Sequence, residues 1–143
     1  MNIVERLMQI DDNAVNTKHT EIYKSHRLAR ILGESEPVDI EIKELSYRKV
    51  SDIMTSMTDK KGRVHMDRKV DTELLLVLEA VANIDFRDKA LMDKFNCATP
   101  KDLAEKLLQN DVPLIAEKVA AMSGFSAEDE NKESEDIEEI KNS

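Results

Sequence analysis

Three histidines and one cysteine are the residues of this 143-residue chain best suited to bind a metal or to act as a nucleophile. His19, His26 and His65 lie in polar, charged segments, and none has a second His or Cys at metal-ligand spacing. Cys97 has no histidine in a recognisable catalytic context and no partner for a disulfide. We therefore predict exposed histidines, a cysteine that packs in the interior, and no metal site or cofactor.

The acidic residues at Asp11-Asp12 and at Glu128–Glu130 raise the question of a calcium site. Neither stretch has the alternating oxygen ligands and central glycine of a calcium loop, so solvated charge is the better interpretation. The three glycines, at positions 33, 62 and 124, form no phosphate-binding loop, and there is no Gly-x-Ser-x-Gly motif. We predict that the chain has no catalytic residues and is not an enzyme.

The negative charge of the chain is concentrated at its C-terminus. The net charge is −9, and the segment from Ser126 to Ser143 contributes −6 of it through eight acidic residues and two lysines. An acidic chain is poorly suited to neutralise phosphates, so we expect no nucleic acid as a partner. No apolar run approaches the roughly 20 residues of a membrane span, and a lone cysteine is typical of a cytoplasmic protein.

The N-terminal third combines helical and strand periodicity. Apolar residues at i, i+1, i+4 and i+5 from Ile3 predict a short helix followed by a polar connection. Apolar and charged residues then alternate strictly from Val38 to Lys43, after a Gly/Pro turn, which is the pattern of a half-buried strand. Because a lone strand leaves its backbone groups unpaired, we expect a hairpin partner upstream of Gly33.

The rest of the body has the period of α-helices. Ser46 is a suitable N-cap for a helix that the Lys60-Lys61-Gly62 sequence is expected to end. The nearly continuous apolar run Leu74–Ala82 predicts a central helix, buried on most sides, that begins near Asp67 or Asp71.

Three further helices are predicted towards the C-terminus. A short one is expected over Lys89–Phe95, and the next begins after Thr99-Pro100, an N-cap followed by a proline at the first helical position. The last begins at Asp111 and ends before Gly124. We predict an α+β fold, consisting of one mostly α-helical domain with a small N-terminal β-hairpin and an acidic C-terminal arm. The expected divisions are an N-terminal helix and linker (1–17), the hairpin plus helical body (18–125) and the acidic tail (126–143).

Five of the seven methionines lie in the helical body and admit two interpretations. At helical spacing they are ordinary core residues, and the alternative is an adaptable apolar groove that accepts a partner helix. In the tail only Ile137 and Ile140 are apolar, which is too few for an independent helix but enough for a segment that orders when it docks. The residues that we predict to bind a partner are Met54, Met57, Leu107, Ile115, Val119, Met122, Phe125, Ile137 and Ile140.

A pattern of packing and capping residues extends over the C-terminal 60 positions. It comprises Phe86-x4-Leu91-x2-Lys94-Phe95-x3-Thr99-Pro100-x-Asp102-Leu103-x2-Lys106-Leu107-Leu108, then Met122-Ser123-Gly124-Phe125 and Glu138-Glu139-Ile140-Lys141-Asn142. This pattern resembles the XkdN-like tail assembly chaperones of contractile-tailed phages and prophages. The family has a Gly-Glu pair ahead of its last body helix, where this chain has Asn110-Asp111. Because Asn tolerates a left-handed turn and Asp caps helices, we expect the same geometry.

The resemblance implies a non-catalytic function. Such chaperones bind the tape-measure protein in the host cytoplasm and keep it soluble while the tail tube assembles, and they are absent from the mature virion. The resemblance also implies a homo-oligomer, and the tail tube protein as a further partner. Two alternatives are a structural baseplate or tail adaptor of the virion, and an acidic DNA mimic, which the nearly neutral body disfavours.

Overall fold

A computed structural model describes residues 1–124, so the predicted acidic arm lies outside the described residues. Within this range a two-stranded sheet is combined with helices. The elements are, in chain order, α1 (Ile3–Met8), α2 (Asp12–Asn16), β1 (Thr20–Ser25), α3 (His26–Leu32), β2 (Val38–Lys43), α4 (Tyr47–Thr55), a 3₁₀ turn (Met66–Arg68), α5 (Lys69–Ala80), α6 (Lys89–Lys94), α7 (Pro100–Leu108) and α8 (Asp111–Met122). The predicted α+β class is confirmed.

Helix α5 is the centre of the core. Leu74, Leu76, Val77 and Leu78 are all buried on it, and it packs against α4, α7 and α8. A helix that is apolar around most of its circumference has to be enclosed by other elements, as predicted from its sequence.

The chain leaves α5 earlier than the apolar run suggested. Val81 has extended backbone angles (φ −70°, ψ 122°) and pairs with Ile42 of β2. Ala82 N–H then donates to the Glu41 carbonyl at 2.8 Å, and the Asn83 side chain bonds the same strand. This segment supplies backbone partners to the outer edge of β2, and that requirement ends the helix.

Strands β1 and β2 pair antiparallel, with Tyr23 opposite Ile40 and Ser25 opposite Val38. The predicted pairing upstream of Gly33 is therefore confirmed, but the connection contains α3 in place of a tight turn. Ser25 is fully buried, and its hydroxyl accepts the Leu28 N–H at 3.0 Å, which caps α3 at the point where β1 ends. Gly33, with φ 73°, ends that helix in the left-handed conformation.

Capping residues set the beginnings of α4 and α7 as predicted. Ser46 Oγ accepts the Lys49 N–H at 3.2 Å, and Thr99 Oγ1 accepts the Asp102 N–H at 3.1 Å. Helix α4 nevertheless ends at Thr55, before the predicted stop at Lys60-Lys61-Gly62. The residues in between form a separate turn, which is described below.

The junction between α7 and α8 differs from the expected one. Asn110 has ordinary right-handed angles (φ −68°, ψ −8°), and it is Gln109 that has a positive φ of 48°. Asp111 is the first residue of α8 and its carboxylate bonds side chains of β1, so it does not cap the helix. The turn is thus one residue earlier than the family pattern suggested.

The N-terminal helices do not join the core. Asn2 caps α1 by accepting the Glu5 N–H at 2.8 Å, and Asp11 caps α2 by accepting the Asn13 N–H at 3.1 Å. Neither helix has a buried residue. Sequence-local hydrogen bonds define both helices.

Residues 1–124 lack both a membrane-spanning helix and a cluster of metal ligands. No helix there is long and apolar enough to cross a membrane. The same residues contain no group of His, Cys, Asp and Glu that could hold a metal ion.

Candidate partner-binding groove

An open groove of about 340 Å³ lies between α4, α5 and α8, beside the 3₁₀ turn. Three of the seven methionines line it, namely Met54, Met57 and Met66. The other lining residues are Lys69, Thr72, Glu73 and Leu76 of α5, and Pro113, Ala116, Glu117 and Ala120 of α8. We call this surface the methionine groove. Because methionine is flexible and unbranched, such a surface adapts to apolar partners of different shape.

The floor of the methionine groove is part of the core. Leu76, Ala116 and Ala120 are buried, and they belong to two helices that pack against each other in the core. Alanine side chains are small, so the space above them is left to the longer methionine side chains. A fixed floor with adaptable walls results.

A polar link joins the end of α4 to the beginning of α5. The Thr72 hydroxyl is buried, donates to the Arg68 carbonyl at 2.9 Å and lies 3.3 Å from the Ser56 hydroxyl. Arg68 in turn donates to the Ser56 carbonyl at 3.3 Å. These bonds hold Met54, near the end of α4, beside α5.

The segment between α4 and the 3₁₀ turn is organised by Asp59. Its Oδ1 accepts two backbone N–H groups, one of them from Arg63 at 3.0 Å. Its Oδ2 accepts the Arg63 Nε–H at 2.9 Å and lies 2.9 Å from His65 Nε2. His65 N–H donates to the Met57 carbonyl at 2.7 Å, which brings Met57 next to Met66 in the groove wall.

The bonds to Asp59 stabilise its ionised form. The hydrogen bond from His65, followed by the bond from the Arg63 backbone, lowers the pKa of the Asp59 carboxyl to about 2. The Asp59 carboxyl is therefore ionised at neutral pH and accepts all of these bonds.

Charged residues border the methionine groove. Lys69 and Glu73 lie on the α5 side, and Glu117 lies on the α8 side. Among residues 1–124, none of these three side chains has a hydrogen-bond or ion-pair partner. An apolar floor with unpaired charges at its border is typical of a site that binds an amphipathic segment.

The sequence model of the family described as "Phage XkdN-like tail assembly chaperone protein, TAC" matches residues 4–141. The chain belongs to this family of tail assembly chaperones. Its role is accordingly in the assembly of phage tails, with phage tail proteins as partners, and the family is in general non-enzymatic.

One solved structure supports the fold of this chaperone. It is the crystal structure of the protein YqbN, with a TM-score of 0.54 and 14% sequence identity. The alignment covers 77% of this chain and 90% of that chain. At this identity the similarity concerns the fold alone. A comparison with curated proteins found no match.

The structure of the chaperone separates the predicted partner-binding residues into groups. Met54 and Met57 are half-buried and line the methionine groove. Ile115 and Val119 have no exposed surface, so a partner that binds this conformation does not touch them. The other predicted residues lie elsewhere: Leu107 and Met122 are half-buried against the core and outside the groove lining, and Phe125, Ile137 and Ile140 lie beyond the described residues.

Sequence reasoning did not select several residues of the groove. Met66 is one of the five methionines of the helical body, but it precedes the central helix, so no helical spacing marks it as a groove residue. Ala116 and Ala120 are spaced i, i+4 on α8, and such a small-residue pair was the available signal.

The histidines and the cysteine have structural surroundings. His19 and His26 are exposed as predicted, whereas the prediction of an exposed His65 is wrong, because the turn folds back and places its ring on Asp59. Cys97 is half-buried and packs against the core, with its Sγ 3.6 Å from the Phe95 carbonyl.

A second polar cluster joins β1 to α8. Tyr23 donates its hydroxyl to Asp111 Oδ1 at 2.8 Å, and Ser25 donates to Asp111 Oδ2 at 2.7 Å. Burial, with the nearby Asp111 carboxylate as a further cause, raises the pKa of the Tyr23 hydroxyl to about 12. These three side chains satisfy one another, and their arrangement positions α8, one wall of the methionine groove.

Proposed function

We propose that this chaperone binds the tape-measure protein in the host cytoplasm and keeps it soluble until the tail tube has assembled around it. The observation that carries the proposal is the methionine groove, considered together with the family to which the chain belongs. The chaperone does not remain in the mature virion of the contractile-tailed phage.

The groove suits a helical partner. A helix that binds in a groove presents apolar side chains at i, i+3, i+4 and i+7, and these need a surface without directional polar contacts. Met54, Met57 and Met66 provide such a surface. Since their side chains can adopt many rotamers, one groove can accept different segments of a long helix in turn.

The partner needs this protection for a physical reason. A long amphipathic helix exposes an apolar stripe along its whole length, and such surface leads to aggregation until it is covered. Several copies of the chaperone, free or as a homo-oligomer, cover the stripe while tail tube subunits polymerise.

Co-expression with the tape-measure protein of the same phage tests the proposal. The test variant is Met66→Glu in the groove and the matched control is Leu32→Glu on α3, because the two side chains are exposed to 66% and 60%. Both substitutions add one negative charge at a mostly exposed position. We expect the tape-measure protein to be soluble with the wild type and the control, and to precipitate with Met66→Glu.

Two results would reject the proposal. One is a tape-measure protein that is equally soluble without the chaperone, and the other is full protection by Met66→Glu. Mass spectrometry of purified particles supplies an independent test. A stoichiometric copy number in the virion would instead support a structural baseplate or tail adaptor.

A further inference from the structure

The N-terminal arm, residues 1–17, exposes an unusual amount of apolar surface. Within residues 1–124, seven of the fifteen exposed large apolar side chains lie in this arm. Ile3, Val4, Leu7 and Met8 of α1 are exposed to between 55% and 81%. A contiguous apolar stripe that is left in water marks a contact surface.

The charges of α1 lie on either side of this stripe. At 3.6 residues per turn, positions 3, 4, 7 and 8 share one face of the helix, while Glu5 and Arg6 flank opposite edges of that face. The helix is thus a short amphipathic segment with one acidic edge and one basic edge.

The methionine groove matches α1 in length and in charge. Six helical residues extend about 9 Å, and the α8 wall from Pro113 to Ala120 extends about 10 Å. The α5 border carries Lys69 and Glu73, of which Lys69 suits Glu5, and the α8 border carries Glu117, which suits Arg6.

We propose that in the free chaperone α1 of one copy occupies the methionine groove of a second copy, and that the tape-measure helix displaces it. The displacement, unlike the self-association, rests on the function proposed above. A second copy is the occupant because α1 and the groove of one molecule do not meet: no residue of α1 is buried. The exchange covers two apolar surfaces that would otherwise remain in water until the partner is synthesised.

Disulfide cross-linking tests which surfaces meet. Full-length Leu7→Cys and Met66→Cys variants are each made with Cys97→Ser, mixed and oxidised. We expect cross-linked dimers in the mixture, well above those formed when Leu32→Cys replaces Met66→Cys. If the mixture forms no more cross-linked dimer than this control, the proposal is overturned. The proposal is also overturned if a single chain that carries both Leu7→Cys and Met66→Cys forms only intramolecular cross-links on dilution.

A charge exchange tests the orientation. Arg6→Glu should weaken self-association at least tenfold in sedimentation equilibrium, and adding Glu117→Arg should restore it. Both positions are exposed, so neither substitution disturbs the core. A double variant that associates no better than Arg6→Glu alone would overturn the proposed pairing.

The two proposals fail in distinguishable ways. If the wild type is monomeric at all concentrations but still protects the tape-measure protein, only the self-association is rejected. If the dimer forms through these surfaces but the tape-measure protein is not protected, the proposed function is rejected together with the displacement, and the self-association stands.

Discussion

Helix α8 has two flanks that are held in different ways. On one flank, Asp111 accepts hydrogen bonds from Tyr23 and Ser25 of β1. On the other, Ala116 and Ala120 line the methionine groove, whose floor is apolar. Directional bonds specify one geometry, whereas apolar contacts with flexible side chains tolerate several. The comparison indicates that the Asp111 flank fixes the position of α8, while the groove flank is available for a partner. We call the Asp111 flank the fixed flank.

The largest expected effect is on the fixed flank. Asp111→Ala removes the carboxylate that accepts hydrogen bonds from Tyr23 and Ser25, and the buried Ser25 hydroxyl then has no acceptor there. We expect the free energy of unfolding to fall by about 3 kcal/mol. Met66→Ala in the groove should change it by less than about 0.5 kcal/mol, since Met66 is mostly exposed. Urea denaturation of both variants gives the comparison.

Asp111→Asn serves as the control for the fixed flank. It keeps one acceptor oxygen but loses the charge, so its stability should lie between the wild type and Asp111→Ala. If Met66→Ala proved as destabilising as Asp111→Ala, the assignment of separate roles to the two flanks would be wrong.

Alkaline pH should loosen the same flank. The pKa of Tyr23 is raised from 10.0 to about 12, so the bond to Asp111 contributes fully below pH 10 and is lost as the pH rises towards 12. Tyr23→Phe should cost about 1.5 kcal/mol at neutral pH. Chemical denaturation from pH 8 to 12 should show the free energies of unfolding of the wild type and Tyr23→Phe converging. A constant difference between them would mean that the Tyr23 hydroxyl does not support the fold.

Local signals made much of this architecture predictable. Ser46 and the Thr99-Pro100 pair place helix beginnings because the capping bond spans three residues. The groove could not be predicted in this way, because it depends on α4, α5 and α8 meeting at residues far apart in sequence. Asp111 illustrates the limit: its position predicted a helix cap, but a strand more than 80 residues earlier supplies its partners.

Acid should act on the groove side of the molecule. The pKa of Asp59 is lowered from 3.8 to about 2, so its contribution is complete above pH 4 and is lost as the pH falls through 2. We expect the wild type to lose more thermal stability than Asp59→Asn over this interval. NMR signals of His65 and Met57 should shift with it, because His65 bonds both Asp59 and the Met57 carbonyl. Unchanged signals across this range would show that the turn does not depend on the carboxylate.

A smaller effect is expected in the turn between α7 and α8, which precedes both flanks. Gln109 has φ 48° and ψ −119°, a conformation that favours glycine. Gln109→Gly should raise the free energy of unfolding by about 1 kcal/mol, whereas the control Asn110→Gly should lower it by about 0.5 kcal/mol, because Asn110 has ordinary helical angles. Equal losses from both substitutions would contradict this assignment of the turn.

Since Gln109 touches neither the Asp111 cluster nor the groove lining, its replacement should leave protection of the tape-measure protein unchanged. A gain in stability without any change in protection would separate the stability of α8 from the function of its two flanks.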